Sequence, residues 1–162
     1  TMADNPSATP RNEGQQKSIQ PLKIYLKDVS FETPNSPAIF LKEWKPNLEF
    51  EVGTSGALTN DGQHEVVLAL TVTVKVNGET AYLAEVHQAG IFNITGYSPE
   101  EAHRIHNVYC NRFLYPYACA AVSDLVTRGG FPQLLLSPIN FDLMYKKRLE
   151  EMQSAETTPA EH

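Results

Sequence analysis

EVVLALTVTVKVNGETAYLAEVHQAGIFNI, residues 65–94, decides the fold. Two long runs rich in β-branched and aromatic residues flank Asn77-Gly78, the dipeptide that favours a tight hairpin. Facial chemistry sets the expected register. A two-residue loop at Asn77-Gly78 would put Glu85 and His87 on the face of Leu68, Leu70 and Val72, stranding charge among core residues. A three-residue loop of Val76, Asn77 and Gly78, with Gly78 left-handed in a bulge, instead groups Leu68, Leu70, Val72 and Val74 with Tyr82, Ala84 and Val86. The second arrangement is expected. It leaves Glu65, Thr71, Thr73, Lys75, Leu83, Glu85 and His87 on the outer face, where Leu83 is conspicuous among polar neighbours.

Outward from this hairpin, Leu48, Phe50 and Val52 alternate with Asn47, Glu49 and Glu51, a strand with one inward face. GTSGALTNDGQ, residues 53–63, reads as a turn-rich connection. Leu22, Ile24 and Leu26 share one parity and Val29 and Phe31 the other, so the first strand needs a bulge or twist near Lys27. Between these strands, TPNSPAIFLKEWKPN carries Pro34, Pro37 and Pro46, which deny it a ladder, yet it holds Ile39, Phe40, Leu41 and Trp44. A long loop with that much apolar surface lies against something or offers a surface to something else.

Helical patterns follow. Ser98-Pro99-Glu100-Glu101 combines a capping serine, proline at the first position and glutamate at the third. The pattern runs to Arg128 and stops at Gly129-Gly130, with an interruption expected between Asn111 and Pro116. Leu114, Ala118, Ala121, Val122, Leu125 and Val126 form its apolar stripe. After the extended connector FPQLLLSPINFD, Asn140 is positioned to cap a last helix with Phe141, Met144, Tyr145, Leu149 and Met152 at helical spacing.

Composition excludes several classes. The chain has 162 residues, 41% of them hydrophobic, which suits one domain with one core. A net charge of −6 and a pI near 5.3 argue against nucleic acid as a partner. No apolar run has the length of a signal peptide core at the N-terminus or of a membrane span elsewhere. Cys110 and Cys119 would fall on opposite sides of one helix, which suits a reducing compartment.

Candidate chemistry is sparse. His103, His106 and Cys110, at i, i+3 and i+7, are three ligand-type side chains that could converge on zinc, and a metal-dependent enzyme is the competing reading. No fourth ligand or Cys-x-x-Cys pair accompanies them. No Gly-x-Ser-x-Gly elbow or phosphate-cradling glycine loop supports catalysis. The aromatics Phe40, Trp44, Phe131, Phe141 and Tyr145, with Met144, read either as satellite core beneath the proline-rich loop or as a groove for extended apolar peptide. Asp28, Glu32, Leu83 and Glu85 read as a wet sheet surface or as a docking face for a short basic segment.

KDVSFETPNSP, the Trp44 loop, AYLAEVHQAGIFNI, YPYA at residues 115–118 and VTRGGFPQLLLSPINFD together resemble the SecB protein-export chaperones of bacteria, over roughly residues 19–149. The resemblance implies one α+β domain with a four-stranded antiparallel sheet and helices packed on one face, assembled as a dimer of dimers, a homotetramer. It implies a cytoplasmic chaperone, not an enzyme, that uses no ATP or other cofactor, holds unfolded preproteins and delivers them to the SecA motor. It assigns Phe40, Trp44, Phe131, Phe141 and Tyr145 to the peptide groove and Asp28, Glu32, Leu83 and Glu85 to the SecA face. The expected organisation is a disordered segment 1–17, a chaperone domain 18–152 and a disordered tail 153–162.

Overall fold

Asn77 and Gly78 both adopt positive φ, 50° and 79°, so the hairpin closes through a two-residue turn of the mirror-image kind, with Val76 opposite Glu79. This computed structural model describes residues 16–157. Strand β3 spans His64–Val76 and β4 spans Glu79–Thr95. The three-residue loop expected from facial chemistry is not formed. Instead the register shifts between Lys75↔Thr80 and Val74↔Tyr82, leaving Ala81 as the extra residue. The grouping of Leu68, Leu70, Val72 and Val74 with Tyr82, Ala84 and Val86 results all the same. A bulge in the ladder does what a longer turn would have done, and the turn keeps the twist that suits the strands.

Strand β1, Ser18–Glu32, pairs with β4, and β2, Pro46–Leu58, pairs with β3, giving an antiparallel sheet in the order β1-β4-β3-β2. The parity change in β1 is a register shift between Leu26 and Asp28, with Lys27 as the extra residue; a second shift, between Pro21 and Lys23, gave no sign in the apolar pattern. β2 runs farther than expected. Residues 53–58, read as turn, continue the ladder from Gly53↔Ala69 to Leu58↔His64, and the turn itself is confined to Thr59–Gln63. Gly56 marks a close approach rather than a turn: a Cβ there would lie 2.5 Å from His106 Nδ1.

β1 and β2 occupy opposite edges, so their connection must cross the sheet, roughly 14 Å at the usual strand spacing. The proline-rich segment does this over the hairpin end. Asn35 Nδ2 donates to the Thr80 carbonyl at 2.9 Å, Lys42 pairs with Glu79 at 2.5 Å, and Ile39, in a short 3-10 turn at Ala38–Leu41, is buried.

Helix α1, Pro99–Ile105, starts at Ser98 with a complete capping box. A π turn at His106–Cys110 leads into α2, Asn111–Arg128. The interruption therefore falls ahead of the expected place, and Pro116 sits inside α2. Pro116 and Arg112 are exposed, so the carbonyl that proline leaves unpaired is on the water side. α2 packs on β4 and β3, and Leu114, Ala118, Val122 and Val126, four residues apart, are fully buried there. Each buried Leu or Val side chain contributes about 1.5–3 kcal/mol.

Helix α3, Phe141–Glu156, is capped by Asn140 Oδ1 accepting from Leu143 N–H at 3.1 Å. It runs past the boundary expected at residue 153, and in its last turns the Ser154 and Thr157 hydroxyls donate to the Glu150 and Gln153 carbonyls. Most of the disorder expected for 1–17, and that for 158–162, concerns positions outside the described residues.

Candidate functional site

The end of α2 builds the first surface. Gly130, at φ 87°, reverses the chain, and the N–H of Phe131 donates to the Val126 carbonyl at 3.2 Å. This carries the Phe131 ring beneath the crossing loop. There it meets Tyr82 at 4.9 Å, Phe40 at 5.0 Å and Trp44 at 5.7 Å between ring centroids, with Tyr82 in turn stacked on Phe31 at 5.8 Å. Burial raises the Tyr82 hydroxyl pKa to about 12, so the cluster is uncharged. It is also open. Phe40 is 48% exposed, neighbouring Leu41 92%, and a cavity of about 160 Å³ lies between Phe40, Trp44 and Phe131.

Three of the five groove aromatics thus come together and two stand apart. Phe141 is buried edge-on against Tyr115 at 5.6 Å, while the Tyr115 hydroxyl donates to the Ser137 carbonyl at 2.6 Å, so Phe141 anchors α3 as a core residue. Tyr145 is half-buried, its hydroxyl 2.9 Å from His103 Nδ1.

Strand β2 adds residues that periodicity alone assigned to the interior. The residues flanking a two-residue hairpin turn exchange both backbone hydrogen bonds, so Val76 aims its N–H and C=O at β4. Counting back along β3, Lys75, Thr73 and Thr71 aim theirs at β2, where they pair with Asn47, Glu49 and Glu51. Leu48, Phe50 and Val52 therefore turn their backbone groups to the free edge of the sheet. Their side chains lie on the helix side, opposite Val74, Val72 and Leu70, and Leu48 is 44% exposed. Arg148 of α3 donates to the Val52 carbonyl at 3.0 Å, as that phase requires. The alternation of this strand was visible in the sequence; its place at a sheet edge was not.

Among the described residues the opposite face of the sheet carries no helix. Cross-strand pairing of Asp28 with His87, Ser30 with Glu85 and Glu32 with Leu83 places Asp28, Glu32, Leu83 and Glu85 on this one face. The three carboxylates are exposed and Leu83 is half-buried among them; Glu85 Oε1 lies 2.7 Å from His87 Nε2. Glu49 and Glu51 of β2 join the same face through Thr73 and Thr71, an extension that only the strand order reveals.

His103, His106 and Cys110 do not converge. Cys110 is fully buried, which pushes its thiol pKa up to about 12. His106 Nε2 pairs with His64 Nδ1 at 2.8 Å, and His103 faces Tyr145. The π turn breaks the regular spacing on which a shared face depended. Among the described residues no group of three or more His, Cys, Asp or Glu side chains is arranged to hold a metal ion, and no helix is long and apolar enough to cross a membrane.

Comparison with known proteins agrees with this architecture. Residues 12–152 match the family described as preprotein translocase subunit SecB. The chain is 45% identical over 161 residues to the protein-export protein SecB of Nitrosococcus oceani, covering 98% of each chain. It is 46% identical over 150 residues to that of Methylococcus capsulatus, covering 91% of this chain and 97% of the relative. A SecB-like chaperone of Mycobacterium tuberculosis, solved in complex with a peptide from an antitoxin, superposes with a TM-score of 0.59 at 20% identity, over 75% of this chain and 90% of that one, and so shares the fold. With a match that runs from the first strand into the last helix, the chain belongs to the SecB family of protein-export chaperones.

Proposed function

We propose that this chaperone holds unfolded preproteins on the surface formed by Phe40, Trp44 and Phe131 and continued along β2 by Leu48, Phe50 and Val52. The observation that carries this reading is the open aromatic cluster beside β2, an edge strand of the sheet among the described residues. An unfolded chain offers apolar side chains and unpaired backbone, and this surface answers both without reading a sequence. Phe141, buried against Tyr115, and Tyr145, at His103, stand apart from the cluster and are assigned to the wider cargo surface that runs along β2. That the Mycobacterium tuberculosis relative was solved holding a peptide supports binding of chain segments here.

Holding needs neither ATP nor a cofactor, since binding to the unfolded state delays folding by mass action. Delivery to the SecA motor, in the cytosol, is assigned to the helix-free face with Asp28, Glu32, Leu83 and Glu85. A homotetramer, a dimer of dimers, is the assembly we infer. The exposed Tyr109 and Tyr117 on the helices and Leu22, Leu26 and Val29 on β1 support apolar contact between copies. Several weak sites on one assembly would raise the effective concentration of each for a long cargo chain.

The test is retardation of refolding of a slow-folding preprotein, with native mass measured in parallel. Phe40→Asp combined with Trp44→Asp is expected to weaken holding about tenfold or more, the loss typical of removing an aromatic anchor, with assembly mass unchanged. Undiminished holding by a correctly assembled variant overturns the assignment.

A further inference from the structure

At the far end of β2 from Trp44, a second cavity of about 480 Å³ opens between the β2–β3 turn and α1. Leu58, His64, Tyr97, Ala102, His103 and His106 line it, and none of its lining residues is Asp, Glu, Lys or Arg. Leu58, at 69% exposure, stands at its mouth as an apolar side chain that the fold leaves uncovered. The paired imidazoles of His64 and His106 fix one wall, and burial holds both below the usual histidine range, so that wall is neutral near pH 7.

Leu58 pairs with His64 in the same phase as Val52 with Leu70, so Leu48, Phe50, Val52, Gly56 and Leu58 present to one face of β2. Phe50 and Val52 are partly buried against the core, and the strip is crossed at its waist. There Asn111 Nδ2 donates to Thr54 Oγ1 at 2.6 Å, and the His106 ring lies over Gly56. One open region thus lies at each end of a strand roughly 40 Å long, on the same face and beside the same free edge.

We propose that this cavity is a second cargo anchor, which takes a neutral aromatic or aliphatic side chain of an extended segment whose other apolar cluster rests on Trp44 and Phe131. The inference rests on the holding function proposed above and adds a spacing rule to it. A charged side chain is disfavoured because no Asp, Glu, Lys or Arg lines the walls and the nearest charges, Lys17 over the Tyr97 ring and Glu101, pair with each other at 3.4 Å, while burial would strip its water. A segment that reaches both cavities makes its second contact at high effective concentration, whereas one with a single apolar cluster does not.

The experiment uses the full chain and two synthetic peptides of about 20 residues, built of glycine, serine and asparagine. One carries a single Phe-Leu-Phe cluster; the other carries two, with centres about 12 residues apart to match the length of β2. Affinities are read by calorimetry. The two-cluster peptide is expected to bind about tenfold or more tightly than the one-cluster peptide. Leu58→Asp, at an exposed position, and Ala102→Phe, which fills the cavity, are each expected to bring it down to the one-cluster affinity. Equal binding of the two peptides to the unaltered protein, or an undiminished advantage in both variants, overturns the second anchor and leaves the holding function standing. Failure of both peptides to bind overturns the second anchor and the cargo surface assigned above together.

Discussion

His106 is the residue whose surroundings most alter its chemistry. Burial first, then the neighbouring His64 and His103, lower its pKa from the ordinary 6.5 to about 4. Between these values the unfolded chain binds a proton that the folded chain refuses, so stability rises with pH across the interval. The contribution is complete above about pH 6.5 and lost as pH falls to about 4. Because the ring is partly open to solvent, its size is discounted to about 1–2 kcal/mol. Replacing His106 with Gln, which keeps a hydrogen-bonding partner for His64, should flatten the dependence of unfolding free energy on pH between 6.5 and 4 by that amount. Urea titrations at stepped pH measure it, and parallel curves for the two proteins would contradict the assignment. The same residue shows where local pattern misleads. The spacing of His103, His106 and Cys110 assumes a regular helix, and one π turn sends one imidazole to Tyr145, another to His64 and the thiol into the core.

Among the elements, α3 is held differently from the rest. Phe141 is its one buried residue, Met144 and Tyr145 are partly buried against the core, and its other ties are polar: Asp142 accepts from Arg104 at 2.7 Å and from Arg112 at 2.6 Å, the Tyr145 hydroxyl meets His103, and Arg148 reaches the Val52 carbonyl. Exposed ion pairs contribute about 0.2–1 kcal/mol each. Asp142→Asn is therefore expected to lower global stability by no more than about 1 kcal/mol while speeding hydrogen exchange of α3 amides selectively. Equal acceleration in the sheet would show that α3 is coupled to the core more tightly than these contacts allow. Element starts and stops were legible where one residue decides them: Ser98 and Asn140 as caps, Gly129-Gly130 as a stop, Lys27 as a bulge. Element ends set by distant partners were not. β2 continues through Gly53 and Gly56 because β3 pairs with it and His106 needs the space, and neither fact lies near those glycines in sequence.

At the scale of the whole molecule, the sheet separates two kinds of surface by its two faces. The helix side buries the core and leaves apolar surface along β2; the other side is wet and acidic around Leu83. The acidic face was largely legible, because β1 and the hairpin each carry their outward residues in simple alternation, and cross-strand pairing brings four of them together. The apolar surface was legible only in part. Periodicity says which side of β2 is apolar but not that β2 lies at an edge, and that depends on strand order. If the acidic face receives a basic segment of SecA, its carboxylates act chiefly by steering, and the attraction weakens as salt screens it. Glu85 sits at the centre of this face, across from Ser30 on one side and Thr71 on the other. Reversing its charge with Glu85→Lys should weaken SecA binding about tenfold at low ionic strength and less at high, with refolding retardation of a preprotein unchanged. The helix side, which we propose holds cargo, lies across the sheet from the altered charge. Calorimetric titration of SecA at two salt concentrations tests this. An affinity equal to that of the unaltered protein at both would move the docking site off this face, and a loss of cargo holding in the same variant would mean that the two faces are not independent.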